Sequence, residues 1–399
     1  MEKVIISLLF AFLALFPFGQ LTKIPLTFLN LPEVHLYLTD AVLFLLVLNW
    51  GVWRVVGKRK KYQLPPLAKP IFLFAFLAGL SLAVNSPLFS GLPAGGQGRE
   101  VRVGFLYLLR WVFYAGLYFV LFDFKKKLKW LNWENMRCFL TIIGSAIGIF
   151  GLIQYFLWPN LKALEVLQYD PHFYRVVGIF LDPGFTGLIL VFTLLLIIDR
   201  WFAKKEKWLI PLFLVIYSAL ALTYSRASWL VFLLAVLLVS YFKKSWKFLV
   251  IILALIGVTY FFLPRPAGEG GKIERTYTIE ARLINSQQVL TIAKEHPLFG
   301  VGFNTYRYVQ RDYGFLKSEE WQVSQAGAGA DNSWLFVLAT TGIFGFLSYL
   351  WLWGQALKES KKKTIVLISL LALIIHAFFL NSLFYSWIMA WVWILLAFV

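Results

Sequence analysis

The chain has 399 residues, of which 60% are hydrophobic and only 15% charged, whereas soluble domains carry roughly 25% charged residues, so a soluble globular protein is excluded. One cysteine, Cys138, allows neither an intrachain disulfide nor a Cys-based metal site. The net charge of +18 invites a nucleic-acid reading, but its distribution along the chain removes that reading, as shown below.

Apolar runs of near-span length follow one another through most of the chain. Twelve stretches read as membrane spans: 4–18, 36–56, 70–84, 103–122, 139–157, 185–198, 208–223, 227–242, 246–263, 333–356, 364–380 and 383–399. No small-residue cleavage site follows the first of them, which therefore counts as a span and not a signal peptide. The last two are separated only by Asn381-Ser382, so 367–399 holds either a tight hairpin or one long span plus a re-entrant piece. The expected fold is all-α, a single polytopic bundle over 1–399 with about 12 transmembrane helices.

Between the spans, basic clusters fall in every second loop: Lys58-Arg59-Lys60-Lys61, Lys125-Lys126-Lys127 with Lys129, Lys204-Lys205 with Lys207, Lys243-Lys244 with Lys247, and Lys361-Lys362-Lys363. This is the positive-inside pattern, and it predicts that those loops and both termini are cytoplasmic. The basic excess is thus a topology signal, and no nucleic-acid partner is expected. The aromatic residues, 19% of the chain with 17 Trp, suit lipid-facing and interfacial positions.

Chemistry is expected on the opposite, external face. There, 158–183 forms one loop, 223–227 a tight turn, and 264–332 a long loop between spans 9 and 10. Pro/Gly-rich residues 264–271 read as an irregular exit from the ninth span. A helix follows, with Ile279, Leu283, Leu290 and Ala293 on one side, Arg282 beside that stripe and directed inward, and Glu295-His296-Pro297 ending it. Gly300 and Gly302 allow a turn or close approach to a ligand. A small-residue run, 325–330, leads to Asp331, expected to cap the tenth span. Arg175 and Arg226 are two more external arginines, costly so near hydrocarbon unless partnered, and a guanidinium suits bidentate binding of phosphate oxygens. Their alternative is snorkelling to lipid phosphates or pairing with Asp182 or Glu280. His376, inside an apolar span, reads as a satisfied core group.

These residues carry a resemblance to the O-antigen ligase and O-antigen polymerase superfamily, bacterial membrane proteins that move a glycan from a polyprenyl diphosphate carrier to an acceptor. Arg175-Val176-Val177-Gly178-Ile179-Phe180-Leu181-Asp182-Pro183 is similar to the family's Arg-x-x-Gly-x-Phe-x-x-Pro segment, with Gly184 where Asn is common. Tyr224-Ser225-Arg226 resembles its Ser-Arg segment, and Arg282 followed by His296-Pro297-Leu298-Phe299-Gly300-Val301-Gly302 resembles its loop arginine and His-Pro-x-x-Gly-x-Gly. Asp331-Asn332-x-x-Leu335, with Gly342 seven residues later, follows the ligases' His-Asn-x-x-Leu spacing, Asp331 standing where they have histidine.

The resemblance implies a glycosyltransferase of the cell envelope, acting at the outer face of the bacterial cytoplasmic membrane on an undecaprenyl diphosphate glycan. Its acceptor would be a lipopolysaccharide precursor or another saccharide or lipid-linked acceptor. It implies Arg175, Arg226 and Arg282 on the donor diphosphate, Asp331 as catalytic base with inversion, support from His296, Gly300, Gly302 and Asn332, and neither metal nor cofactor. Asp331 as orienting group or mere cap, and His296 or His172 as base, stay open. A flippase or transporter of a lipid-linked saccharide is the alternative, but it would spread charges through the spans. A transferase using a polyprenyl monophosphate sugar would want paired acids in the first external loop, which has only Glu33, with Asp40 entering the second span.

Overall fold

The computed structural model of the chain describes residues 1–25, 34–56, 63–86, 97–167, 171–265, 277–316 and 329–399. The basic cluster at 58–61, Glu33, residues 266–271 of the irregular exit and residues 325–328 lie outside these.

Twelve apolar helices occupy the twelve expected stretches. They are α1 (Glu2–Leu15), α2 (Leu38–Val56), α3 (Ala68–Val84), α4 (Gln97–Phe124), α5 (Trp133–Leu157), α6 (Pro183–Lys204), α7 (Leu209–Ala221), α8 (Arg226–Phe242), α9 (Trp246–Phe262), α12 (Ser333–Ser360), α13 (Thr364–His376) and α14 (Ser386–Ala397). Two further helices, α10 (Tyr277–Glu295) and α11 (Tyr306–Asp312), lie in the long loop before α12. A small hairpin of β1 (Lys23–Pro25) and β2 (His35–Tyr37) pairs antiparallel between α1 and α2.

Six of the apolar helices are long enough to cross a membrane: α2, α4, α5, α6, α12, and α1 with the 3-10 turn that continues it to Thr22. The other six have 12 to 17 residues. At 1.5 Å per residue they reach only about 18–26 Å, against a hydrocarbon core of about 30 Å. The expectation of about twelve full spans is therefore met by twelve apolar helices but not by twelve full-length ones. The last pair is two helices, not one long span: α13 packs on α8 and α14 on α4, and the irregular connection between them buries Ala377, Ser382 and Leu383 while Phe378 is exposed.

The centre of the bundle is α6, apolar on every side and buried continuously from Thr186 to Ile198, as an all-round hydrophobic helix must be. The basic loops gather at one end. Lys125 Nζ donates to the Ala397 carbonyl at 2.6 Å, Asp199 pairs with Arg137 (3.0 Å) and Lys243 (3.4 Å), and the Lys363 ammonium lies 4.3 Å from the Trp133 ring centre.

At the other end α12 is broken at Gly342 (φ 62°, ψ −168°), a conformation open essentially to glycine alone. The break frees carbonyls that the His296–Gly302 segment takes up. Val301 N–H donates to Ala339 O (3.0 Å), Gly302 N–H to Thr340 O (3.1 Å), and Ile343 N–H to Pro297 O (2.8 Å). Ser81 Oγ lies 2.6 Å from Phe299 O and 2.7 Å from Thr340 O, and Asn85 Nδ2 donates to Gly300 O (3.1 Å), so α3 pins the same junction. Gly300 (φ 64°) has no room for a side chain: a Cβ there would stand 2.5 Å from Ala339 O. The two glycines of the loop and the later Gly342 are one structural device, the docking of the loop on a broken helix.

Candidate functional site

The three expected arginines arrive from three elements. Arg175, almost fully buried, follows Tyr174 (φ 49°) and donates through Nε to Thr223 O at 2.9 Å, while Val176 N–H donates to Leu222 O. That ties Arg175 to the turn from which α8 starts. Arg226 is the first residue of α8, behind Ser225, whose hydroxyl accepts the cap bond from Ser228 N–H. Tyr224 (φ 50°) holds the turn through a bond from its hydroxyl to Pro264 O. Ser228 Oγ contacts Gly184 O (3.2 Å) and His376 Nε2 (3.4 Å), and His376 Nδ1 lies 2.7 Å from Ser382 Oγ. His376 is thus a satisfied core group, as its sequence setting suggests. Arg282 is close enough for its charge to act on His376. Arg175 and Arg226 thus lie at the turn that opens α8, and Arg282 lies within electrostatic reach of His376, which contacts Ser228 in the first turn of α8.

Arg282 reaches this place because α10 turns a different face inward than its apolar stripe predicts. Val289, Ile292 and Ala293 are buried, with Arg282 and Asn285 half-buried on the same side, whereas Ile279, Leu283 and Leu290 are exposed. The exposed residues suit contact with lipid rather than with the bundle. His296 closes the turn after α10, its carbonyl accepting from Gly300 N–H (3.1 Å), and it does not line the cavity described next.

Asp331 is not the helix cap. Asn332 is: its Oδ1 accepts from Trp334 N–H (2.9 Å) and Leu335 N–H (3.1 Å). Both residue types cap well, and the backbone places the second one in register. Asp331 is left exposed just outside the helix, its own N–H donating to Asn285 Oδ1 (3.0 Å) one turn from Arg282. Burial, together with the charge of Asp331, pushes the Tyr306 phenol well above its ordinary value, which places that carboxylate near the buried hydroxyl.

Asp331 lines a cavity of about 320 Å³. Asp182 and Phe185, from the start of α6, bound it on one side, and Asp182 Oδ1 caps α6 by accepting from Gly184 and Phe185 N–H (2.7 and 2.8 Å). Aromatic side chains form much of the wall, among them Tyr385 stacked on Phe185 (3.9 Å between ring centres) and Trp387 against Tyr37 (4.8 Å). Gln20 Nε2 ties the wall together through Phe180 O (2.8 Å) and the Tyr385 hydroxyl (3.0 Å). The irregular 377–385 connection also faces this space, as non-helical backbone in a membrane bundle does when it lines a cavity.

The cavity holds basic residues that the sequence reading missed. Arg110, Arg307 and His35 line it, together with His172, which the sequence offers as a candidate base; Arg175, Arg226 and Arg282 are not among its described lining residues. Arg110 pairs with Asp40 (3.0 Å), donates to the His35 carbonyl, and stacks over Tyr107 (4.9 Å). Burial, and then the charges of Lys23, Arg110 and Arg307, push the His35 imidazole down to about 4. Only tertiary folding unites these residues, and the signal available in sequence was Arg110 inside an apolar span, where an ionisable group points to function. Two of the non-glycine residues held at positive φ, Leu181 and Asn304, also line the cavity, the kind of strain that collects at functional sites. Among the described residues no three His, Cys, Asp or Glu side chains gather as a metal site.

Residues 210–350 match the family model described as O-antigen ligase. The match runs from α7 into α12 and contains Arg226, Arg282, the His296–Gly302 segment, Arg307, Asp331 and Gly342; Arg110 and Arg175 lie outside it. No curated protein matches the chain.

Proposed function

We propose that this member of the O-antigen ligase and polymerase superfamily transfers a glycan from a polyprenyl (undecaprenyl) diphosphate carrier to an acceptor hydroxyl. Transfer takes place at the outer face of the bacterial cytoplasmic membrane, with the basic loops and both termini on the cytoplasmic side. The observation that carries this reading is the placement of Arg175 and Arg226 at the turn that opens α8, with Arg282 in electrostatic reach of His376 beside it and Asp331 tied to the face of α10 that bears Arg282.

In the reaction an acceptor oxygen attacks the anomeric carbon from the face opposite the diphosphate, the carbon–oxygen bond to the diphosphate breaks, and the configuration inverts. Negative charge grows on the leaving diphosphate, and guanidinium groups at a helix N-terminus stabilise it where water is scarce. Asp331 takes the hydroxyl proton. A helix N-terminus lowers a carboxylate's proton affinity, which would weaken it as a base. Because Asn332 makes the capping bonds, Asp331 escapes the direct part of that penalty. Asp331 is the base or the group that orients the acceptor, and both uses need its carboxylate.

The test is the stereochemistry of the product. With an α-linked carrier glycan and a purified acceptor, NMR of the new linkage is expected to show the β anomer, and Asp331→Asn to abolish its formation. Retention at the anomeric carbon would remove the single-displacement mechanism. A ladder of lengthening lipid-linked products identifies a polymerase, and one transfer to a different acceptor a ligase.

A further inference from the structure

Resting on the transferase reading, the cavity beside Asp331 lies next to the arginine cluster and holds none of its three members among its described lining. Single displacement needs the acceptor on the far side of the reacting carbon from the diphosphate, hence a site distinct from the arginine cluster and bordering Asp331. The cavity meets both conditions. Its volume of about 320 Å³ is at the small end for ligand sites, enough for a terminal sugar.

Two kinds of observation indicate what fills it. Phe185, Tyr385 and Trp387 line it with aromatic rings, and Gln20, Asn304 and Asn381 with side-chain amides. Amides next to aromatic rings suit a sugar, which offers hydroxyls at its edge and C–H groups on its face. The lining also carries charge: Arg307 and Arg110 belong to it, and both, with Lys23, are near enough to act on His35. Asp40 offsets Arg110, and the aromatic walls keep the local dielectric low.

We propose that this cavity is the acceptor subsite, and that its Arg307, Arg110 and His35 wall receives an oxyanion, carboxylate or phosphate, carried by the acceptor sugar. The enzyme thereby selects acidic or phosphorylated acceptor glycans over neutral ones, and Asp331, in the lining of the same cavity, meets the acceptor hydroxyl.

The experiment uses the full chain in detergent with no lipid donor, so its outcome stands apart from whether transfer is found. Binding of cellobiose, cellobiouronic acid and cellobiose 6′-phosphate is measured by thermophoresis. Both anionic probes are expected to bind about tenfold or more tighter than cellobiose, as a charge-assisted hydrogen bond gives. Arg307→Gln is expected to erase that preference, and Arg307→Lys to retain most of it, which separates lost charge from lost fold. The stronger of the two anionic probes tells carboxylate from phosphate. Equal binding of all three probes, an equal loss for all three in Arg307→Gln, or displacement of the anionic probes by inorganic pyrophosphate at lower concentration than by cellobiose 6′-phosphate would overturn the proposal. The last result would assign this wall to a diphosphate.

Discussion

Substituting Gly342 by Ala tests the joint between the site loop and the bundle. The backbone there (φ 62°, ψ −168°) costs a residue with a side chain about 1–3 kcal/mol. The added Cβ would stand 2.2 Å from Leu298 O and 2.5 Å from Phe299 N, so the loop must move. Movement endangers the bonds from Val301, Gly302 and Ile343 N–H to Ala339, Thr340 and Pro297 carbonyls, each worth about 0.5–1.5 kcal/mol net. The total is about 2.5–7.5 kcal/mol. With an unfolding entropy of about 2.1 cal/mol/K per residue, a chain of this length loses roughly 1.2 °C per kcal/mol, hence about 3–9 °C in melting temperature by scanning fluorimetry. Gly354, on the same helix, has nothing within 4 Å of its would-be Cβ. Gly354→Ala is therefore neutral or raises the melting temperature by about 1 °C through helix propensity. Equal melting temperatures for Gly342→Ala and Gly354→Ala would refute the docking argument.

Neighbouring residues at the start of α12 are expected to separate stability from activity. Asn332→Ala loses the cap and about 1 kcal/mol in the same assay, while Asp331→Asn melts as the wild type and loses transfer. The reverse pattern would return the capping role to Asp331. Arg226→Ala and Arg282→Ala are each expected to lose transfer by tenfold or more while the protein still inserts into membranes, and unchanged turnover in both would end the diphosphate assignment. His35 binds its proton more weakly folded, at about 4, than unfolded, near 6.5. Its contribution, at most ~3 kcal/mol, is therefore full above pH 6.5 and lost as pH falls toward 4. Melting curves across that window are expected to flatten in His35→Gln, and an unchanged slope would contradict the lowered proton affinity of His35.

The helices were legible because lipid demands long apolar runs, and all twelve apolar helices lie within a few residues of their predicted stretches. Their lengths were less legible. Hydropathy continues through turns such as 377–385, where chain direction is set by packing on α8 and α4 and not by composition. The arginines were read from charges placed beside hydrocarbon, a local signal. Three features were not local. The inward face of α10 is offset by about 100° from its apolar stripe because lipid and bundle both accept apolar side chains, so periodicity alone does not say which one a stripe meets. The cap at α12 fell between two adjacent residues of equal propensity, Asp331 and Asn332. The Arg110, Arg307 and His35 wall joins residues almost 200 and more than 270 positions apart, each an isolated charge in its own segment.

The central claim is that the chain transfers a glycan. The direct measurement is made in liposomes holding the purified protein, a fluorescent glycan on a polyprenyl diphosphate carrier and an acceptor glycan. The account predicts label on the acceptor and release of stoichiometric polyprenyl diphosphate, both absent in Asp331→Asn. Label that crosses between leaflets while remaining on its carrier would contradict the account and identify a flippase.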